Sequence, residues 1–271
     1  MPKKYRFDVS EPEEVDNFEI ETPTNIYVVS KTKSGKSVLL KHLMLCLINA
    51  DSIDEIYIQG MTMEYNHDYD ELKPLMQSKH KFISCNNFNI VQLQAVYDRQ
   101  RKKKLANLPM RRVVFLLDDI IGSFRQGDNE SLFISNLSTH ARHLNITLIM
   151  SVQYVKGILS PMIRENATNL LFSSITKDAE TQVASMCHVN KEAIEFITSK
   201  LKKFEFCYYS NDGSAQEATF KIVKVSSLDD GKEIEPEEKI EITPANMTKS
   251  NSKVYKRDII ESEISEMENL I

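Results

Sequence analysis

A strand-like run, Asn-Ile-Tyr-Val-Val over 25–29, leads into the loop Ser30 to Ser37 and then into an apolar helical run to about Ile48. Within the loop, Ser34-Gly35-Lys36-Ser37 combines what phosphate binding requires: backbone N–H donors at a helix start, a lysine and a hydroxyl able to hold Mg²⁺. Lys36 would reach the β- and γ-phosphates of a nucleotide, Ser37 would hold Mg²⁺, and Gly35 would let the backbone approach closely. The usual pattern is G-x-x-x-x-G-K-[ST], and its first glycine is Ser30 here. Lys31 and Lys33 add positive charge to the loop, or simply face solvent.

A second chemical signal is VVFLLDD, residues 113–119. An apolar strand ending in Asp places carboxylates at the C-terminal edge of a sheet, where open α/β sheets bind ligands. Asp118 would hold Mg²⁺, mostly through water, and Asp119 would act as the base that orients an attacking water. A third is ITLIMSVQ, a strand ending at Gln153, whose amide suits a γ-phosphate or the lytic water. This order fits the ATPase class that inserts a strand between the one before the phosphate loop and the one ending in acids. Two arginines follow the same logic. Arg142 in THARHLNI and Arg164 in MIREN are candidates for stabilising transition-state charge from a neighbouring subunit, or for surface ion pairs.

These groups need elements to hold them. Apolar runs predict strands over 53–59, 81–84, 113–117, 146–152, 169–173, 204–210 and 219–225. Helical patterns predict helices over 90–104, 130–143, 179–187 and 191–200, besides the one after the phosphate loop. Strands that are apolar throughout and alternate with helices predict an α/β fold, a mostly parallel central sheet flanked by helices. Residues 1–24 read as a polar, extended N-terminal extension, 25–228 as the domain, and 229–271 as an acidic linker and C-terminal helix. That final stretch has twelve acids and six bases, while the 228 residues before it carry a net charge of +1. It is a solvated tail or a docking segment for a partner.

The chain's net charge of −5 excludes a globally basic, histone-like binder but leaves room for a local basic surface. The four cysteines, Cys46, Cys85, Cys187 and Cys207, are far apart with no C-x-x-C pair, which argues against a zinc site and for reduced thiols. The first residues lack an apolar signal-peptide core, and no apolar run approaches the ~20 residues of a membrane span. A soluble, non-secreted protein is expected.

Taken together, SKTKSGKS, VVFLLDD, THARHLNITLIMSVQY and SPMIRENATNLLF resemble the genome-packaging ATPases of the FtsK–HerA superfamily, most of all those of poxvirus-type and other large DNA viruses and of virophages. The resemblance runs from about Ile26 to Phe172, and the RH-x-N-I run and the Q…IR-x-N spacing are its most specific parts. It implies a P-loop NTPase fold of the RecA-like, ASCE type. It also implies an ATP- and Mg²⁺-dependent motor that moves double-stranded DNA of any sequence into a preformed capsid. By position, Lys36 and Ser37 become the Walker A residues, Asp118 and Asp119 the Walker B pair, Gln153 the sensor, and Arg142 or Arg164 the trans-acting finger. The family works as a homo-oligomeric ring, pentamer or hexamer. The resemblance therefore implies partners at a capsid vertex, portal or membrane-associated packaging complex, and a location in the host cytoplasm, at a viral factory, or with the virion.

The densest basic cluster, Arg99, Arg101, Lys102, Lys103 and Lys104, with Arg111 and Arg112 nearby, would face DNA phosphates in the pore or form a solvated helix end. The loop over 122–129 is the alternative pore contact. Two other functions remain open: a DNA translocase or helicase-like ATPase with another task, and a small-molecule kinase. A kinase would need a lid and an acceptor pocket.

Overall fold

The computed structural model describes residues 4–7, 12–14, 19–61, 63, 65, 67–120, 128–153, 161–210 and 217–225. They all belong to one unit, Met1–Asp230; a second unit, Gly231–Ile271, lies outside the described residues, as do the acidic tail predicted over 229–271 and most of the 122–129 loop.

Among the described residues, ten strands form one sheet. They are β1 (Lys4–Phe7), β2 (Glu13–Glu14), β3 (Asn25–Val29), β4 (Glu55–Gly60), β5 (Phe82–Asn87), β6 (Val113–Asp118), β7 (Ile146–Val152), β8 (Asn169–Phe172), β9 (Glu205–Ser210) and β10 (Glu217–Lys224). The order is β1-β10-β9-β8-β3-β7-β6-β4-β5, with β2 also paired to β10. From β8 to β5 every pairing is parallel; β9 runs antiparallel to both β8 and β10. The sheet is therefore mostly parallel, and β7 sits between β3 and β6, as the sequence pattern predicts.

The α-helices among the described residues are α1 (Lys36–Asn49), α2 (Leu72–Ser78), α3 (Ile90–Leu105), α4 (Asn129–His140), α5 (Pro161–Glu165), α6 (Lys177–Cys187) and α7 (Lys191–Lys200). Side chains alternate across a strand, so a strand with both faces covered must be apolar at every position. Along β6, Val113, Phe115 and Leu117 join one core, and Val114 and Leu116 join the other. The first core takes Leu93 and Val96 of α3, Ile134 and Leu137 of α4, and Val183 and Ile194 of α6 and α7. The second takes Leu39, Leu40, Leu43 and Leu47 of α1 with Leu72 and Met76 of α2. Emptying either side is expensive: Phe115, fully buried, would cost ~3–5 kcal/mol as alanine.

Three local features depart from the sequence reading. Part of the N-terminal stretch read as an extended lead-in joins the sheet, as β1 and β2 pair parallel with β10. Strands of four and two residues carry too little pattern to announce themselves; the partner strand supplies their hydrogen bonds. Helices α2 and α5, seven and five residues long, are also absent from the sequence reading, being about two helical turns or less. The helix predicted over 130–143 ends at His140, and a 3-10 turn, Ala141–Leu144, carries the chain into Asn145, whose φ of 56° stops it.

Candidate active site

The phosphate loop is built by pinning a short turn between strand ends. The Ser30 N–H donates to the Val152 carbonyl at 3.2 Å, and the Lys31 N–H to the Ser174 carbonyl at 2.8 Å, tying the loop to β7 and to the end of β8. The Ser34 hydroxyl donates back to the Lys31 carbonyl at 2.8 Å. Lys33 and Gly35 both take positive φ, 62° and 91°, and Gly35 caps α1, so the free N–H groups of the helix start face the loop's interior. Ser30, standing where the pattern has glycine, is fully buried beneath the loop and does not line the cleft above it.

That cleft, about 320 Å³, is lined by Lys31, Gly35, Lys36, Ser37, Asp118, Asp119 and Gln153, among others. The fold thus brings the phosphate loop together with two strand ends from the far half of the domain. Lys36 is buried, and its Nζ has no hydrogen-bond partner among the described residues; the nearest anion, Asp119 Oδ1, is 3.9 Å away. A buried ammonium without acceptors is costly. Phosphate oxygens at this point would supply them.

Asp118 is buried and held at both oxygens. The Tyr69 hydroxyl donates to Oδ2 at 2.9 Å, and the Ser151 hydroxyl donates to Oδ1. Burial first, and then the Asp118 charge, pushes the Tyr69 phenol well above its ordinary value, so it remains a donor to the carboxylate. Ser151 serves both acids, since its oxygen also accepts from the Asp119 N–H at 3.1 Å. Asp119 takes the left-handed conformation, φ 52°, which turns its carboxylate away from the line of β6 and into the cleft. There Gln153 Nε2 donates to its Oδ2 at 2.6 Å.

Gly60 at the end of β4 makes room for this corner. A Cβ there would stand 2.6 Å from the Asp118 carbonyl oxygen. Gly60, Tyr69 and Ser151 shape this corner of the cleft, and sequence reasoning misses them. Ser151 carries one faint signal: a hydroxyl in a buried, mostly apolar strand, two residues before Gln153.

The remaining candidates lie elsewhere. Arg142 is exposed on the 3-10 turn that precedes β7, and Arg164 lies in α5, which precedes β8. Both therefore sit toward the N-terminal edge of the parallel strands, opposite their own phosphate loop. Arg164 donates to Gln182 Oε1, whereas the Arg142 side chain makes no hydrogen bond or ion pair among the described residues. The basic cluster at the end of α3 is on that same opposite edge, and it divides. Arg99 pairs with the buried Glu55 carboxylate, and Arg111 Nε is 3.7 Å from the same group. Arg112 clasps Asp54, with Nη2 at 2.5 Å and Nε at 3.2 Å. Arg99 is thus committed to Glu55, at the start of β4, which its basic neighbours on α3 are not. Arg101, Lys102, Lys103 and Lys104 make no ion pairs among the described residues.

Fold comparison places this architecture among known ATPases. The DNA-packaging ATPase B204 of Sulfolobus Turreted Icosahedral Virus superposes with a TM-score of 0.57 at 18% identity, over 77% of this chain and 100% of that one. The genome packaging NTPase B204 of Sulfolobus turreted icosahedral virus 2, in complex with ATP-gammaS, gives 0.54 at 19% identity, over 76% and 99%. The pCW3 conjugation coupling protein TcpA gives 0.53 at 15% identity, over 82% and 69%. No curated protein sequence matches the chain. The structural likenesses establish a P-loop NTPase fold. At the level of sequence, the family model described as Poxvirus A32 protein matches residues 16–257, nearly the whole length, and the chain belongs to that family.

Proposed function

We propose that this chain is the ATP-hydrolysing motor that drives double-stranded DNA into a preformed viral capsid. The observation that carries the reading is the convergence of Lys36, Asp119 and Gln153 on one cleft: a buried cation lacking acceptors, faced by a carboxylate that a strand-end amide orients. Family membership and the likeness to the packaging NTPases of the two Sulfolobus viruses give that hydrolysis its task.

In this reading Lys36 and the N–H groups of Gly35 to Ser37 hold the β- and γ-phosphates of ATP. Asp119 accepts the proton of the attacking water, and Gln153 fixes the carboxylate that does so. Among the described residues no group of three or more His, Cys, Asp or Glu is set to hold a metal by itself. Mg²⁺ would instead be shared between the nucleotide phosphates, the Ser37 hydroxyl and, through water, Asp118, whose oxygens are already fixed by Tyr69 and Ser151. Bound there, it neutralises charge on the β- and γ-oxygens.

Arg142 is the stronger of the two finger candidates. It is exposed, uncommitted and on the edge that a neighbouring subunit's cleft would meet in a head-to-tail ring. DNA contacts fall to Arg101, Lys102, Lys103 and Lys104 on the same side. The assembly is a pentameric or hexameric ring acting with capsid-vertex, portal or membrane-associated packaging proteins in the host cytoplasm. Among the described residues no helix is long and apolar enough to cross a membrane.

The test is ATP hydrolysis by the purified chain with and without linear duplex DNA, together with a mass measurement of the complex. Hydrolysis that DNA of unrelated sequences stimulates equally, from a ring, is the expected result. Phosphate transfer to a small acceptor without release of inorganic phosphate would replace the motor by a kinase. DNA stimulation without filling of empty capsids would leave a translocase with another task.

A further inference from the structure

One aromatic ring touches the phosphate loop from the side away from the catalytic carboxylates. A Cβ on Gly35 would stand 2.5 Å from Phe204 Cδ1 and 3.2 Å from Cε1, so the ring lies directly against the glycine at the loop's turn. Phe204 itself takes the left-handed conformation, φ 67°, which bulky side chains seldom adopt. The surroundings hold it there. The Glu205 N–H donates to the Lys202 carbonyl at 3.1 Å, and the buried Glu205 carboxylate accepts from the Lys202 N–H at 2.8 Å. The Val225 N–H donates to the Phe204 carbonyl at 3.0 Å. The Ser173 hydroxyl donates to the Glu205 carbonyl at 2.7 Å, and the carbonyl of its neighbour Ser174 accepts from the Lys31 N–H of the loop. The turn and the phosphate loop are thus fastened to the same strand end. The Lys203 ammonium stands over the Phe204 ring, 4.8 Å from its centroid, and both Lys202 and Lys203 are exposed.

The topology gives this ring a direction. Asp119 and Gln153 approach the loop from β6 and β7, on one side of β3; Phe204 approaches from β8 and β9, on the other. A triphosphate whose terminal phosphate met Asp119 and Gln153 would run along the start of α1, with its nucleoside end toward β8 and β9. We propose that Phe204 is the nucleoside wall of this site, stacking the base of the bound nucleoside triphosphate, with Lys203 exchanging the ring for the nucleotide. An exposed cation–π contact is weak, and a stacked base replaces it with a larger face-to-face contact. The proposal rests on the nucleotide-site reading above and adds the residue that grips the half of the ligand which the loop does not touch.

The experiment compares two ligands on the full chain. Calorimetric titration gives the Kd of ATP and of inorganic tripolyphosphate for the wild type, Phe204→Ala, Phe204→Leu and Phe204→Tyr. Phe204→Leu keeps apolar bulk against Gly35 and guards against loss of the fold, which thermal melting monitors. Base–aromatic stacking corresponds to roughly a five- to hundredfold change in Kd. Phe204→Ala and Phe204→Leu are expected to weaken ATP by about tenfold or more while tripolyphosphate stays within about twofold, and Phe204→Tyr is expected to restore ATP binding. Equal weakening of both ligands would make Phe204 a prop for the loop and overturn the proposal. So would ATP binding that neither variant changes. A wild-type chain that binds neither ligand would instead remove the nucleotide site itself.

Discussion

Gln153 Nε2 lies 2.6 Å from Asp119 Oδ2, a hydrogen bond that joins the ends of β7 and β6 directly above the phosphate loop. The amide N–H donates to one carboxylate oxygen and so fixes the direction in which that carboxylate faces the cleft. The other oxygen, Oδ1, faces Lys36 at 3.9 Å. One carboxylate thus connects the group that binds phosphate to the group at the strand end.

Asp119→Asn should therefore keep ATP affinity within a few-fold and lower turnover by ~10²–10⁴. Gln153→Ala should lower it less, by about 10–100-fold, because the carboxylate remains but loses its orientation. Single-turnover hydrolysis alongside nucleotide titration separates the two effects. Wild-type turnover in Asp119→Asn would move the base elsewhere.

Lys36→Met tests the same cleft through stability. Replacing a buried ammonium that lacks acceptors should raise the stability of the nucleotide-free protein by about 1–3 kcal/mol. The wild type should gain about 2.7 kcal/mol at an ATP concentration of about 100 Kd, and the variant should gain nothing. Thermal melts with and without Mg-ATP read both changes.

Ser151 holds two acids at once through one oxygen, donating to Asp118 and accepting from the Asp119 N–H. Ser151→Ala should cost about 10–100-fold in turnover and raise the Mg²⁺ concentration for half-maximal activity. Tyr69→Phe, which removes one donor to Asp118 and leaves Asp119 untouched, should produce a smaller shift of the same sign.

The basic end of α3 should divide under mutation as it divides in structure. Arg99→Gln strips the principal partner from the buried Glu55 carboxylate and should lower stability by about 1–3 kcal/mol. Changing Lys102, Lys103 and Lys104 together to Gln should leave melting unchanged. DNA affinity should fall alike for all sequences, and the salt slope should flatten by roughly one unit for each DNA phosphate that no longer meets a lysine. An unchanged slope with unchanged DNA stimulation of the ATPase would leave these lysines as a solvated surface.

Asp54 gives a pH signature. Hydrogen bonding to the Arg112 guanidinium holds its carboxyl below the ordinary 3.8. A carboxyl lowered in the folded state stabilises above its unfolded value and loses that contribution as pH falls through the folded one. Asp54→Asn should therefore be less stable than the wild type by roughly 1 kcal/mol near neutrality. The difference should close below about pH 3.8 as the wild-type carboxyl takes its proton. Urea unfolding midpoints near neutrality, in mild acid and well below that value measure it.

Local pattern suffices for the sheet's parallel core and for the identity of the loop. Asn25–Val29, Val113–Asp118 and Ile146–Val152 are dominated by apolar residues at consecutive positions, which only a strand buried on both faces sustains. Gly35, Lys36 and Ser37 are contiguous, so their chemistry is legible without a fold. Everything that depends on contact between distant segments had to await packing. Packing separated Arg99 from its basic neighbours, because the partner, Glu55, is 44 residues away. It gave Ser151 and Tyr69 their hold on Asp118, because a hydroxyl's role lies in what it faces and not in its type. It brought Phe204 against Gly35 from the far end of the domain, with a glycine required there because a ring occupies the space where a Cβ would go. Periodicity reports which face of an element is dry; only packing reports which side chain waits on the other side.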